Sequence, residues 1–122
     1  MVKTAGPDNL ITHIIDALED VKGEDICVMD LRDIENTVCQ YFVICSGTSN
    51  TQVNALAGTV QKKVSKALRE KPLQAEGLEN SEWVLLDYVD VVVHIFQRQI
   101  REHYDIESLW GDAKLTEIAS SY

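Results

Sequence analysis

Cysteine is scarce in the sequence, and its spacing argues against two kinds of site. The 122 residues include three cysteines, Cys27, Cys39 and Cys45, an odd number without CxxC spacing. Disulfide frameworks and zinc sites need paired or closely spaced cysteines. All three lie in apolar stretches, so we expect them to be buried as small hydrophobic residues in a reducing cytosol.

Long apolar runs are also missing. No stretch approaches the roughly 18 to 20 apolar residues of a membrane span. The N-terminal MVKTAGPDNL lacks the apolar core of a signal peptide and the arginine-rich character of a transit segment. We therefore expect a cytoplasmic protein without a membrane partner. With no repeat, linker or low-complexity segment, we expect one domain over residues 1–122, with a core at about 8–113, a short N-terminal arm and a C-terminal tail.

Positive charge is the third scarcity. Lys and Arg number 11 against 20 Asp and Glu, which gives a formal net charge of -9. This charge repels phosphate backbones, so we expect no DNA-binding groove. The same charge would steer the chain toward a basic protein, although acidity also serves solubility alone. Charge by itself leaves these two explanations open.

The apolar residues that are present follow helix and strand periods in turn. We predict a helix over 8–22, capped by Asp8 and ended by Gly23, and a second helix over about 50–71. Ser49 and Gln52 have capping-box spacing at the start of the second helix, and Pro72 blocks its continuation. We predict strands at 25–31, 39–46, 73–78, 83–87 and 91–96, one or two short helices after Gln97, and a weakly patterned tail from Gly111.

The order of these elements predicts an α/β fold. A strand, a long helix and another strand indicate a right-handed crossover. The short DYVD connection at 87–90 joins two strands that must be antiparallel neighbours. We therefore expect a single domain with a mixed β-sheet flanked by helices.

Candidate catalytic groups are few. Asp87 and Asp90 are possible metal ligands, because hard cations take carboxylate oxygens, and SGTSNTQ at 46–52 is the one candidate phosphate cradle. An ordinary capped turn explains this segment better, since neither a lysine nor a second glycine joins it. The strand that follows the helix also lacks an acidic pair. A minimal nucleotidyltransferase-type enzyme that uses the SGTS turn with Asp87 and Asp90 is the alternative hypothesis, and a dimeric scaffold is a third.

Histidine and aromatic residues admit two interpretations. His94, within VVVHIF, is interpreted as a core residue, and no histidine is placed beside a thiol or hydroxyl to activate it. Trp83 and Trp110 are either core residues or interface anchors. Tyr88, in a tight turn between two aspartates, is expected to be exposed at its tip as a recognition residue.

Three segments together resemble a known family. They are YFVICSGTSNTQVNAL at 41–56, EGLENSEWVLLDYVDVVVHIF at 76–96 and YDIESLWGDA at 104–113. In order and spacing they resemble the ribosomal silencing factor family, also called RsfS or Iojap, from about Asp8 to Ala113. The resemblance implies a nucleotidyltransferase-like fold without catalytic carboxylates, and therefore no enzymatic activity, catalytic residue, cofactor or metal.

The resemblance also implies a partner. Family members bind the universal large-subunit ribosomal protein fourteen, block the joining of the small subunit sterically, and repress translation when nutrients are limited. Free members are often homodimers. Matched to this sequence, the partner-binding residues are Trp83, Asp87, Tyr88, Asp90, Tyr104, Glu107 and Trp110.

Two positions depart from the family pattern. Val89 stands where the family typically has the glycine of D-Y-G-D, so a turn that needs a positive φ would be strained or differently built. Gln40 stands where an acidic residue usually precedes Y-F, which removes one charge.

Overall fold

The fold is a six-stranded sheet with helices on both faces. The computed structural model describes residues 7–35, 37 and 39–119. Its elements are α1 (Pro7–Asp20), β1 (Glu24–Asp30), β2 (Tyr41–Gly47), α2 (Asn50–Leu68), β3 (Gln74–Glu76), β4 (Trp83–Asp87), β5 (Val91–Gln97), α3 (Arg98–Tyr104), α4 (Ile106–Leu109) and β6 (Lys114–Glu117). Among the described helices, none has the length and apolar character needed to cross a bilayer.

The strands lie in the order β3-β4-β5-β2-β1-β6. Among the strands that the structure describes, β2 and β5 pair in parallel and the other four pairs are antiparallel. The predicted α/β class and mixed sheet are confirmed. The connection through α2 brings β3 back in the direction of β2, as a crossover requires, but β4 and β5 lie between these two strands.

Two apolar layers hold the helices on the sheet. On one face, α1 and α2 bury their apolar stripes, including Ile14, Leu18 and Leu56, against the inward side chains of β2, β4 and β5. On the other face, α3 and α4 cover a smaller layer centred on Phe42 and Phe96. Every residue of β2 is buried, as predicted for a strand covered on both sides.

Helix α1 differs from the prediction at both ends. It begins at Pro7, so Asp8 lies in the first turn and does not serve as the cap. At the other end, Lys22 adopts the left-handed conformation (φ 57°). The Gly23 N–H donates to the Leu18 carbonyl at 2.8 Å, and the Lys22 N–H to the Glu19 carbonyl at 3.0 Å, which is a Schellman motif. Lysine thus takes the position where glycine was expected.

Gly23 is required for a different reason, which is close packing. A Cβ atom at this position would lie 2.4 Å from Cys45 Sγ and 3.1 Å from the Leu18 carbonyl oxygen. We expect Gly23→Ala to lower the free energy of unfolding by about 2 kcal/mol, because overpacking forces neighbouring atoms to shift. Urea denaturation measures this change.

The matched control is Gly58→Ala in the exposed middle of α2, where a Cβ would meet no atom within 4 Å. This substitution should raise the free energy of unfolding by about 0.5 to 1 kcal/mol, through helix propensity alone. Equal effects of the two alanines would contradict the packing explanation.

The start of α2 also ties the two long helices together. Ser49 Oγ accepts a hydrogen bond from the Gln52 N–H at 3.1 Å, as the capping box predicts. Gln52 Oε1 accepts instead from the Thr48 N–H at 2.6 Å, and its amide donates to the Val21 and Lys22 carbonyls. The helix ends at Leu68, earlier than the predicted Lys71, with Arg69 in the left-handed conformation.

The C-terminal segment corrects another prediction. The weakly patterned tail contains a regular strand, β6, which pairs antiparallel with β1 from Cys27↔Glu117 to Asp30↔Lys114. All four of its residues are exposed. An edge strand held by backbone hydrogen bonds buries no alternate side chains, so the sequence carries no apolar period to reveal it.

The three cysteines are free and buried, as predicted. Burial raises the pKa of the Cys27 and Cys39 thiols to about 11 and that of Cys45 to about 12. They therefore remain protonated core residues at neutral pH.

Candidate functional site

The turn between β4 and β5 is fixed by hydrogen bonds. Asp87 Oδ1 accepts from the Val89 N–H at 2.8 Å, and the Tyr88 N–H donates to the Val91 carbonyl at 2.9 Å. The Asp90 carbonyl accepts from the Gln40 and Tyr41 N–H groups, which anchors the turn to β2. The Asp90 side chain is exposed and that of Asp87 is half-buried. The two carboxylates are therefore held on a rigid turn.

Tyr88 is not the exposed tip of this turn, and that prediction is wrong. Its side chain is 7% exposed and packs in the layer under α1 and α2. The strand alternation that turns Val84 and Leu86 toward these helices continues through Tyr88. Burial raises the pKa of Tyr88 to about 12, and its buried hydroxyl has no partner among the described residues.

Val89 is the residue that projects. It is 58% exposed and has a φ of 76°. A β-branched residue in this left-handed region costs on the order of 1 to 3 kcal/mol. The turn thus keeps a positive φ although valine occupies the position.

The face of the sheet that carries α3 and α4 is rich in rings. We call it the aromatic face and define it by the rings of Phe42, Trp83, His94, Phe96, Tyr104 and Trp110. Ring centroids lie 4.9 Å apart for Trp83 and Tyr104, 4.8 Å for Trp83 and Phe96, and 5.8 Å for Phe42 and Trp110. The two short helices cover only part of this layer.

The uncovered part of the aromatic face is apolar with an acidic end. Trp83 and Trp110 are half-buried and Tyr104 is 51% exposed, while Leu109, which precedes Trp110 in the chain, is 76% exposed. Strand alternation places Asp87 on the same face as Trp83. Exposed aromatic area next to carboxylates suits a basic protein partner.

His94 lies inside this layer, as its interpretation as a core residue predicted. The Trp83 indole Nε1–H donates to His94 Nδ1 at 3.1 Å, which fixes the Nε2–H tautomer. Desolvation lowers the pKa of His94 to about 4, so the ring is neutral at physiological pH. The buried Nε2 has no partner among the described residues.

Glu107 turns toward the protein instead of outward. Its carboxylate accepts from Arg101 Nε and Nη2, each at 3.3 Å. Arg101 also donates to the Asp25 carbonyl at 2.7 Å and to Ser46 Oγ at 2.8 Å. The pair therefore fastens α3 and α4 to β1 and β2.

The geometry separates the parts of the alternative enzyme. Ser46 lies at the carboxyl end of β2, whereas Asp90 adjoins Tyr41 at the opposite end of that strand. About six residues at roughly 3.3 Å each place the SGTS turn about 20 Å from the two aspartates. The hydroxyls of Ser46, Thr48 and Ser49 are also engaged by Arg101 and Gln52. The turn and the carboxylates do not form one site.

The cleft near the SGTS turn is also unsuited to phosphate. It has a volume of about 410 Å³ and is lined by five carboxylate residues and two arginines. Both arginines are already paired, Arg98 with Glu24 and Arg101 with Glu107. Among the described lining residues, no free positive charge remains to hold an anion.

Comparison with known proteins agrees with the resemblance of the three segments. The sequence profile described as ribosomal silencing factor during starvation matches residues 4–121. The chain belongs to the ribosomal silencing factor family.

Its similarity extends to individual members. A Chromobacterium violaceum protein named ribosomal silencing factor RsfS is 45% identical over 100 residues, 82% of this chain and 80% of the relative. A Bacillus subtilis protein of the same name is 39% identical over 103 residues, 84% of this chain and 85% of the relative.

Solved structures support the same fold. A crystal structure of a Chromobacterium violaceum protein superimposes with a TM-score of 0.82 and 38% sequence identity, covering 96% of this chain and 97% of the other. Membership of the ribosomal silencing factor family connects the chain with translation regulation and with the ribosome.

The structure brings together some of the seven residues carried over from the family. Trp83, Asp87, Tyr104 and Trp110 lie on the aromatic face, and Asp90 is on the turn that follows Asp87. Tyr88 and Glu107 point elsewhere, into the helix-covered core and toward Arg101. Sequence analysis assigned no functional role to Leu109 or Arg101. The helical period of Leu109 indicates a residue packed on the sheet, so it does not reveal an exposed side chain. An arginine bonded to a backbone carbonyl has no sequence signature.

Proposed function

We propose that this chain silences translation by binding the large ribosomal subunit and blocking the joining of the small subunit. The partner is the universal large-subunit ribosomal protein fourteen, and the contact is made by the uncovered aromatic face together with Asp87 and Asp90. The chain acts by occupying space, without catalysis, in the cytoplasm. When free, it forms a homodimer.

The exposed apolar area with an acidic end is the observation that carries this proposal. Tyr104, whose ring centroid lies 4.9 Å from that of half-buried Trp83, is 51% exposed, and Leu109, which precedes half-buried Trp110 in the chain, is 76% exposed. Aromatic anchors provide much of the binding energy in protein interfaces. A net charge of -9 keeps the chain off ribosomal RNA and favours a basic protein surface.

Asp90→Lys tests the proposed contact. The Asp90 side chain is exposed, and it is the backbone carbonyl that holds the turn, so the fold should be unchanged. Reversing this charge should weaken binding to purified large subunits by 2 kcal/mol or more, roughly thirtyfold, through repulsion from a basic partner. Co-sedimentation measures the binding, with small subunits added afterwards to follow joining.

The matched control is Asp16→Lys, which makes the same charge change at an exposed position of α1, on the opposite face of the sheet. It should bind large subunits and block joining as the wild-type chain does. Normal co-sedimentation of Asp90→Lys, or equal losses in both variants, would rule out this surface.

A further inference from the structure

His94 is the centre of a line of five rings across the aromatic face. The order is Tyr104, Trp83, His94, Phe42 and Trp110, with successive centroid distances of 4.9, 5.9, 4.6 and 5.8 Å. The outer members of this line are exposed or half-buried, while His94 is 4% exposed. A buried residue thus links both halves of the proposed contact surface.

His94 is linked to the half that contains Trp83 and Tyr104 by a hydrogen bond, which is directional. The Trp83 indole N–H has one acceptor in the described structure, His94 Nδ1 at 3.1 Å. Ring contacts constrain the position of the indole, but they do not by themselves direct its N–H toward an acceptor. A hydrogen bond to a buried acceptor selects one ring orientation, since any other leaves the indole N–H unpaired.

His94 is linked to the half that contains Phe42 and Trp110 by ring packing. Phe42 meets the His94 ring edge-on, with an interplanar angle of 77°, and meets Trp110 at 86°. Such edge-to-face pairs favour defined ring positions. The position of His94 is itself fixed, because β5 is hydrogen-bonded to a strand on each side.

We propose that His94 is a positioning residue for the partner contact. By accepting a hydrogen bond from the Trp83 indole N–H, it holds the aromatic face in the arrangement that binds. The inference rests on the function proposed above. His94 does not touch the partner, and it acts through Trp83. Because a rigid aromatic anchor loses less conformational freedom on binding, its preorganisation contributes to affinity.

Two substitutions at His94 separate this role from simple packing. His94→Leu introduces an apolar side chain of similar size and removes the acceptor. His94→Asn keeps an acceptor, because its amide oxygen occupies nearly the place of Nδ1. Val93→Ala is the control for lost stability, because Val93 is equally buried but faces α1 and α2 on the other side of the same strand.

The first readout is the indole N–H of Trp83, observed by NMR in the ¹⁵N-labelled free chain. The sequence contains two tryptophans, so a Trp110→Phe spectrum assigns the signals. His94→Leu should move the Trp83 signal and speed its hydrogen exchange by about tenfold or more, whereas His94→Asn and Val93→Ala should keep a protected signal.

The second readout is the affinity for purified large ribosomal subunits. We expect His94→Leu to bind about tenfold more weakly, and His94→Asn and Val93→Ala to stay within about threefold of the wild type. The proposal is overturned if His94→Leu binds like the wild type, or if Val93→Ala loses as much affinity as His94→Leu. It is also overturned if His94→Asn keeps the indole signal but loses binding.

Failure of the proposed function has a different signature. The wild-type chain would then fail to co-sediment with large subunits at all, although its Trp83 signal is protected. That outcome would overturn both the partner assignment and the role of His94, whereas any of the three results above, with normal binding by the wild type, would overturn only the role of His94.

Discussion

Replacing Arg101 with methionine is expected to lower the free energy of unfolding by about 3 kcal/mol, the largest effect of a single substitution that we predict. The side chain of Arg101 is only 12% exposed. Its guanidinium donates to the Asp25 carbonyl, to Ser46 Oγ and to the Glu107 carboxylate. Methionine fills most of the volume but leaves these acceptors and a partly buried carboxylate without a donor.

The substitution Arg101→Met should also disturb the aromatic face. Asp25 lies in the left-handed region (φ 49°), where the β1–β2 register shifts, and its carbonyl accepts from Arg101. Arg101 connects this irregular site to α3, and through Glu107 to α4, which is followed by Trp110. Binding to large subunits should therefore fall together with stability. Urea denaturation and co-sedimentation measure the two effects.

Arg98→Met is the matched control. Arg98 is on the same helix and also pairs with a carboxylate, that of Glu24, but its side chain is 49% exposed. Exposed ion pairs contribute little, so we expect a change within about 0.5 kcal/mol. If the two methionine variants were equally stable, Arg101 would not be the residue that fastens α3 and α4.

The periodic part of the fold could be predicted from the sequence. The stripe that includes Val53, Leu56 and Val60 gave α2, and the unbroken apolar run of β2 gave a strand covered on both faces. Burial of one side of a helix or of both sides of a strand requires such patterns. The mixed sheet followed from the short 87–90 connection.

Features without a period were missed or misplaced. Strand β6 is exposed along its whole length and is held to β1 by backbone pairing. Tyr88 was expected to be exposed because it lies between aspartates, but the alternation of β4 decides its direction. Lys22, not Gly23, takes the left-handed position after α1, whereas glycine is needed at position 23 because Cys45 lies so close.

The candidate site could also be predicted only in part from the sequence. The resemblance to the family selected Trp83, Tyr104 and Trp110, which do lie on one face. It also selected Glu107, whose carboxylate is bonded to Arg101. Which matching residues face outward depends on packing between distant segments, and that is not encoded in local spacing.

Acid should destabilise the chain through His94 over a defined range of pH. Burial lowers the pKa of His94 to about 4, against an ordinary value near 6.5. Above pH 6.5 the ring is neutral in both the folded and the unfolded chain. Between pH 6.5 and 4 the unfolded chain takes up a proton that the folded chain does not, so the free energy of unfolding falls as the pH falls. The full decrease is about 3 kcal/mol, and it is complete near pH 4.

Other shifted groups titrate outside this window. Arg32, bonded to Asp30, lowers the pKa of that carboxyl to about 2, so its contribution is lost only between about pH 4 and 2. The buried cysteines and Tyr88 have raised pKa values and affect stability only in alkaline solution. Because acidification also reduces the repulsion within a chain of charge -9, the wild type must be compared with a variant.

His94→Asn provides that comparison, because it removes the titrating ring and leaves the other charges in place. Urea denaturation at intervals from pH 7 to 4 should show the wild type losing about 3 kcal/mol relative to the variant, with a slope that approaches 1.36 kcal/mol per pH unit. Protonation of His94 also removes the acceptor of the Trp83 N–H, so the indole signal should change over the lower part of the same range. Parallel stability curves for the two chains would show that His94 takes up its proton equally well in the folded state, which its 4% exposure argues against.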